Sequence, residues 1–442
     1  MALVGELELQ SFDYTDPELK GERFHAALRE LATQGWLAQG PYGYVVLDRE
    51  AGEFFLRTRS AIFPGMKIAE LFDVSDGPLW EEMKANILHV NGADHTRLRA
   101  LVNPALTPRA VERWRPAMRE FLSGLFAEVA DAGRCEFVQA FAKPYPSQTI
   151  ATVMGAPLSD APRLHHWSNW IQRQFDAASM MNERDGIELA VQEFYEYARA
   201  LIAARRDDPS DDLISTLLAA TYHPVPEDAD EGGPETTAVP ADRALAERLS
   251  EEECVNLVLN VLIGGVDTTQ SQLAHAIRLL AEHPEQWAAL VADPSLAGAA
   301  VEEALRFEPI TPFTARITVE EITYRDVTFP KDTVVMVCAF SGNRDLPTPS
   351  AKAIRGEAAN GFATEDSWDF DITAQRPKAR VLTFGAGVHY CLGANLARLE
   401  LEEGLSFLAQ NMPALELDGG AGGIEYESIL GIYGLSQLPI RF

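Results

Sequence analysis

Cysteine is scarce in this sequence. Four residues, Cys135, Cys254, Cys338 and Cys391, lie far apart with no CxxC pair among them. That excludes a disulfide framework and a cysteine-rich zinc site, and leaves each thiol to be judged singly. Positive charge is scarce too: 37 Lys and Arg stand against 66 Asp and Glu, a formal net charge of −29. A chain so acidic repels the phosphate backbone that supplies most nucleic-acid affinity, so no nucleic-acid partner is expected. Long apolar runs are missing as well. Nothing approaches the roughly 20 uninterrupted apolar residues of a membrane span. The first residues, MALVGELELQSFDYTDPELK, lack the basic, then apolar, then small-residue order of a secretory signal. These absences predict a cytoplasmic protein with no membrane span.

What is present, 47% apolar, 9% aromatic and 23% charged residues, is the composition of an ordinary folded protein. Apolar spacing near 3.6 predicts helices over about 17–38, 93–103, 108–131, 138–154, 161–179, 184–206, 211–221, 248–281, 284–292, 295–307 and 394–410. Short β-branched or aromatic runs at 44–47, 53–56, 322–324, 333–338 and in the C-terminal GLSQLPIRF can make only a small sheet. The fold class is mainly α. Two stretches, about 223–242 (acidic, rich in Pro and Gly) and 346–367, read as exposed loops. The helix after the first is so apolar in its middle (CVNLVLNVLIGGV) that it needs cover on nearly every side, so a single domain over 1–442 is expected.

Ser250 with Glu253 is a capping-box pattern. The helix it opens carries Gly264 and Gly265 in its interior, where each costs of order 1 kcal/mol relative to Ala. Asp267, Thr268 and Thr269 follow at once, polar groups that need partners, water or a ligand if buried. A kink with locally satisfied hydroxyls is one account, and a wet notch suited to proton delivery is the other. Glu303 and Arg306, three apart, share a helix face, which is commonplace. Arg316 and Arg344 are ordinary alone, and His95 with Arg99 reads alone as a solvated basic face. Cys391 is different. Its stretch, FGAGVHYCLG over 384–393, places glycines and free backbone N–H groups just before a helix start near Ala394, the end that favours a thiolate. A buried inert thiol suits the other three cysteines but does not explain these glycines, Phe384 or His389.

At every fixed position, Phe384, Gly385, Gly387, His389, Cys391 and Gly393, this stretch resembles the haem-binding signature of the cytochrome P450 family. The resemblance covers about residue 20 to the C-terminus and implies the P450 fold, a large helical domain with a small β-rich portion. It implies haem b, its iron held by the Cys391 thiolate, with Phe384 and Gly385 beside the sulfur and His95, Arg99, Arg316 and His389 on the propionates. Gly264 and Gly265 would open the central helix for O2, and Asp267 and Thr268 would deliver protons. Glu303, Arg306 and Arg344 would form a buried network behind the cysteine.

The activity implied is a monooxygenase that inserts one oxygen atom of O2 into a lipophilic small molecule by hydroxylation or epoxidation. The chain carries no flavin or iron–sulfur motif, so electrons from NAD(P)H would arrive through a separate ferredoxin and ferredoxin reductase. Arg97, Arg109, Arg113, Arg115, Arg119 and Arg398 then read as a basic docking patch for an acidic ferredoxin. Alignment with the family draws the pocket from Asn260, Ile263, Pro312, Phe313, Thr314, Ile432, Tyr433 and the loop from about 72 to 88. A peroxide-driven peroxygenase or decarboxylase and a haem-containing binding protein are the alternatives, and the Asp267–Thr268 pair weighs against both. Leu346 follows Asn343-Arg344-Asp345 where the family usually has Pro, and the run to Phe370-Asp371-Ile372 is long, which implies an enlarged loop on the cysteine side.

Overall fold

The computed structural model describes residues 2–222, 247–344, 365–375, 380–429 and 431–442. The loop expected at 223–242 lies outside the described residues, as do positions 346–364 of the loop expected at 346–367, whose last residues belong to the short helical turn Glu365–Trp368.

Ser250 opens the most apolar helix. Its hydroxyl accepts from the Glu253 N–H, and the Glu253 carboxylate accepts from the Ser250 N–H at 2.8 Å, the reciprocal cap that the spacing predicts. The helix Glu251–Gly265 buries Cys254 to Leu259 without a gap, and a second segment, Asp267–Glu282, buries Thr269 to Leu280. Between them Val266 (φ −88°, ψ −74°) bends the backbone while its N–H still donates to the Leu262 carbonyl at 3.2 Å, so the one helix expected over 248–281 is two segments joined at a kink. Apolar on all sides, the pair needs a jacket. Pro144–Met154, Ala161–Gln172, Arg184–Asp207, Ala297–Phe307 and Ala394–Asn411 supply it. All of them contribute to one apolar cluster that reaches from Ile87 to Ile440. Each fully buried Leu, Ile or Val there contributes about 1.5–3 kcal/mol.

The largest sheet runs in the order Leu37–Gly40, Gly43–Val46, Val334–Cys338, Phe313–Thr318, Ala61–Ile62. Gly43–Val46 lies parallel to Val334–Cys338, and the other neighbours are antiparallel. Strand Phe313–Thr318 has no counterpart among the sequence expectations, nor do helices Met66–Leu71, Gly77–Ala85 and Ala339–Arg344. The run at 53–56 is not a strand. It lies in helix Arg49–Arg57, capped by Asp48, whose carboxylate accepts from the Ala51 N–H at 2.7 Å, and the buried pair Ala51 and Phe55 follows a period of four. The helix expected over 17–38 ends at Gln34, after which Leu37–Gly40 is a strand. Among the described residues no helix is long and apolar enough to cross a membrane.

Candidate active site

The cysteine loop is built by two positive-φ glycines. Gly385 (φ +68°) and Gly387 (φ +73°) turn the chain where side-chain-bearing residues are strained, and a Cβ on Gly387 would stand 2.5 Å from the Leu56 carbonyl oxygen. The loop closes when the Cys391 N–H donates to the Phe384 carbonyl at 2.9 Å, and helix Ala394–Asn411 begins three residues later. Burial raises the Cys391 thiol above its ordinary range, while the Gly393 and Ala394 N–H groups and the Arg99 and Arg398 guanidiniums pull it down. The other three thiols are raised by burial, Cys135 to about 12 and Cys254 to about 11. Arg398 lies 4.5 Å over the Phe384 ring and pairs with Glu302 at 2.5 Å.

Four basic residues from three elements face one another beside this loop. The His95 and His389 rings are 4.2 Å apart, and His389 is pushed down to about 3 by burial and then by His95, Arg316, Arg99 and His89. Arg99 feels the Cys391 sulfur. Arg316 is 3% exposed, yet its one hydrogen bond among the described residues goes to the Ala315 carbonyl at 2.8 Å, and burial alone lowers it to about 10. No carboxylate pairs with any of the four among the described residues. A buried cation without an anion is costly, so Arg316, with the half-buried Arg99 in the same cluster, calls for an anionic ligand. Sequence reasoning missed His89, stacked 5.4 Å from Phe63 with its Nδ1 on the Met83 carbonyl at 2.7 Å and its buried Nε2 without a partner among the described residues. No motif marks it.

Across the core, the two central glycines do different work. A Cβ on Gly264 would meet nothing within 4 Å, whereas one on Gly265 would collide with the Ile150 side chain. Only Gly264 opens a notch, and Gly265 lets two helices approach. The Thr268 hydroxyl donates to the Gly264 carbonyl at 2.5 Å. Asp267 turns away from it: its carboxylate accepts from the Ser168 hydroxyl at 2.5 Å and is 5% exposed. Burial raises its pKa against the pull of Ser168, His165, Asn169 and Lys143.

Glu303 and Arg306 form a bidentate pair with both contacts at 2.7 Å, and both residues are buried. Arg306 also donates to the Ser367 and Asp369 carbonyls at 2.7 and 2.8 Å, and Glu303 accepts from the Asp371 N–H at 3.0 Å. Arg344 does not join this ion pair as expected. Among the described residues it donates to the Phe340 and Phe307 carbonyls at 3.1 and 2.7 Å and lies 3.7 Å over the Phe340 ring, and burial and then Arg306 lower it to about 9.

The expected pocket residues divide. Ile263 and Pro312 are buried, and Thr314 and Ile432 are half-buried. The two-residue period of its strand separates Phe313 from Thr314 and Arg316, and Phe313 packs instead 5.4 Å from the Tyr14 ring and 6.2 Å from Phe24. Tyr433 also faces the core, fully buried, its hydroxyl accepting from the Gly21 N–H at 2.8 Å. Asn260 ties the central helix to the preceding segment by accepting from the Ile87 N–H at 3.0 Å.

A family model described as Cytochrome P450 matches residues 36–412. The chain belongs to the cytochrome P450 family. Luteothin monooxygenase of Streptomyces thioluteus is 31% identical over 98% of this chain and 96% of its own. Among solved structures, CalO2 matches with a TM-score of 0.81 at 27% identity, covering 98% of this chain and 99% of that one. P450BioI in complex with hexadec-9Z-enoic acid ligated acyl carrier protein matches at 0.77 and 27%, covering 95% and 99%. Like its P450 relatives, the protein is an oxidoreductase that incorporates oxygen.

P450 membership implies a haem-thiolate iron cofactor and O2 as co-substrate, and the residues present fit that group. The unmatched cations offer what two propionates need, and Cys391, with the Gly393 and Ala394 N–H groups and two guanidiniums around it, is the thiol whose charge Arg99 of that same cluster feels. The basic docking patch is a different matter. Arg97 pairs with Glu253, Arg113 with Asp211 at 2.5 Å, Arg115 with Glu112 at 2.9 Å, Arg119 with Glu403 at 2.5 Å, and Arg398 with Glu302. Of the six, only Arg109 has no carboxylate partner among the described residues, so the expected excess of positive charge is largely cancelled.

Proposed function

We propose that this P450 hydroxylates or epoxidises a lipophilic small molecule, with the Cys391 thiolate as the side chain that would hold the iron of haem b and electrons passed from NAD(P)H through a ferredoxin and its reductase. The observation that carries this reading is the cluster of His95, Arg99, Arg316 and His389 beside the Cys391 loop, which pairs with no carboxylate among the described residues and leaves the buried Arg316 without a countercharge that a propionate would supply. When bound, haem supplies a thiolate-ligated iron that activates O2. The protein's part is positional. His95, Arg99, Arg316 and His389 would hold the propionates, and Phe384 with Gly385 would shape the turn that presents the sulfur. Gly264 leaves room at the notch, Thr268 presents a hydroxyl there, and the buried Asp267, its pKa raised by that burial, would exchange protons one residue away. Glu303 and Arg306 fix the backbone of Ser367 to Asp371. With the arginines of the cysteine side paired, a ferredoxin would be recognised by fit more than by net charge.

The lipophilic substrate class is supported by the apolar Ile263 and Pro312, and by the fatty acyl group that P450BioI takes on its carrier protein. A core cluster drawn from Ile87 to Ile440 supports a single-domain reading. The test is the carbon monoxide difference spectrum of reduced holoenzyme, which should show the band near 450 nm typical of thiolate-ligated haem, lost in Cys391→Ser. Retention of that band in Cys391→Ser would overturn the assignment. Product formation with ferredoxin, reductase and NAD(P)H, set against peroxide alone, then separates the monooxygenase from the peroxygenase.

A further inference from the structure

Gly434 is not one of the positive-φ glycines, yet a side chain there has no room. A Cβ on it would stand 2.6 Å from the Glu427 carboxyl oxygen Oε2 and 2.7 Å from the Ser271 hydroxyl. Gly434 lies opposite Glu427 in the C-terminal hairpin, its carbonyl accepting from the Glu427 N–H at 3.0 Å. The Glu427 side chain therefore folds across the bare glycine toward the central helix. Ser271 is 3% exposed and follows Asp267 by four positions, so the two share one helix face. The glycine lets an acid of the hairpin approach a hydroxyl that neighbours Asp267.

Glu427 itself is open to solvent. Burial is nonetheless the first cause that raises its pKa, with the charge of Asp267 second and Lys143 and Arg173 pulling the other way. A carboxyl that water reaches while protein surrounds it on most sides stands in a crevice. Four elements wall it: the hairpin, the central helix with Asp267 and Ser271, Lys143 just before helix Pro144–Met154, and Arg173 on the turn after helix Ala161–Gln172. Neither cation closes on Glu427 as an ion pair among the described residues. Arg173 pairs with Glu183 at 2.8 Å, and the half-buried Lys143 pulls on both acids. His165 and Asn169 flank Asp267 from helix Ala161–Gln172, and His165 is bonded to Gln270 at 3.0 Å. The crevice thus leads from solvent toward the face of the central helix that carries Asp267.

We propose that Glu427 is the solvent end of a proton inlet to Asp267, with Ser271 between the two acids and Gly434 keeping the passage open. This deepens the monooxygenase reading and rests on it, because a reaction that releases one oxygen atom of O2 as water draws protons from solvent. Each passage moves one proton and no electron. Glu427 gives its proton, across one water where no direct bond spans the gap, to the Ser271 hydroxyl, which passes its own to Asp267. Asp267, having released a proton toward Thr268, is restored, and solvent reprotonates Glu427. Glu427 touches neither substrate nor the reacting atoms and acts only through Asp267, as a positioning residue.

The test compares wild-type holoenzyme with Glu427→Gln, which removes the acid, and Gly434→Ala, which keeps the acid and narrows the passage. With ferredoxin, reductase and NAD(P)H, both variants should form roughly tenfold less product per NAD(P)H, short of the factor of about 10²–10⁴ that a group acting on the reacting atoms supplies. Both should also show a larger solvent deuterium isotope effect. Product formation driven by peroxide, which brings its own protons, should be unchanged. Wild-type coupling should fall as pH rises through the Glu427 titration, and Glu427→Gln should lose that dependence. One readout needs no turnover: in infrared titration of resting holoenzyme, the carboxyl band that Asp267→Asn removes should titrate at lower pH in Glu427→Gln, where a neighbouring negative charge is gone. Wild-type coupling and pH profile in Glu427→Gln or Gly434→Ala would overturn the proposal, as would an unmoved Asp267 band. An equal loss in the peroxide reaction would overturn it too, by marking a structural role. Failure of the monooxygenase reading would show separately, as absence of the carbon monoxide band in wild type.

Discussion

Replacing Arg316 by Met should move the haem-free and haem-loaded proteins in opposite directions. In the protein alone the guanidinium is held at about 10, against an ordinary 12.5, by burial with nothing to offset it. That gap disfavours the charged form by about 3 kcal/mol at neutral pH. Methionine fills much of the same volume without a charge, so the haem-free variant should gain stability, up to about 3 kcal/mol less the hydrogen bond to Ala315, which is worth about 1 kcal/mol. With haem bound the sign reverses. A charge-assisted hydrogen bond to a propionate contributes about 1.5–3 kcal/mol, so losing it should weaken haem retention roughly 10- to 150-fold. Urea melts of both forms give the first quantity, and the rate of haem transfer to excess apomyoglobin gives the second. If Arg316→Met destabilised the haem-free protein as much as the loaded one, Arg316 would have a structural partner, and the case for an anion site among these four residues would fail.

Glu303→Gln strips the buried Arg306 of its countercharge and should cost about 3–5 kcal/mol, read as lost haem incorporation and a lower urea midpoint. Gly265→Ala must push Ile150 aside and should cost about 1–3 kcal/mol in thermal melts, whereas Gly264→Ala should fold normally and change only the ligand-binding spectrum. Glu82 is raised from 4.5 to about 7 in the folded protein, so the folded state keeps a proton that the unfolded chain has released. Its contribution is present below about pH 4.5 and is lost as pH rises to about 7, a fall of about 3 kcal/mol that Glu82→Gln should flatten in melts at pH 4.5, 6 and 7.5. Thr268→Ala should consume NAD(P)H without matching product, and unchanged coupling with a good substrate would refute the role given to its hydroxyl.

The features legible in the sequence are those that a few neighbouring residues decide. The turn around Cys391, the Ser250 cap and the Glu303–Arg306 pair each act within ten positions, so their spacing carries them. The features not legible depend on partners far away in the chain. Whether Arg113 is free or paired is settled by Asp211, 98 positions on, and Arg398 by Glu302, 96 positions back. Six arginines on cysteine-side helices look basic in a list and are nearly neutral in space. The role of Gly265 is decided by Ile150, and the direction of Phe313 by a register that sets Arg316 opposite Val335. Glu82 gives no sign of burial, because its helix starts with Pro78 and has little amphipathic pattern of its own.

The kink at Val266 ties these points to the chemistry. Successive helical residues stand about 100° apart, so Asp267 and Thr268 cannot both face the notch. The acid points to Ser168, in a neighbourhood that holds His165, Asn169 and Lys143, and the alcohol points back at Gly264. The two residues are therefore not a pair acting at one point. In the proposed proton path, Asp267 would take up protons from the side of helix Ala161–Gln172, and Thr268 would present them at the notch. Because the Thr268 hydroxyl already donates to the Gly264 carbonyl, its lone pairs are what the notch meets first. The hydroxyl must rotate, or accept from a water, before it can pass a proton on. The open space beside Gly264 gives that rotation room, so in the proposed path the glycine would serve proton transfer as much as the fit of a ligand.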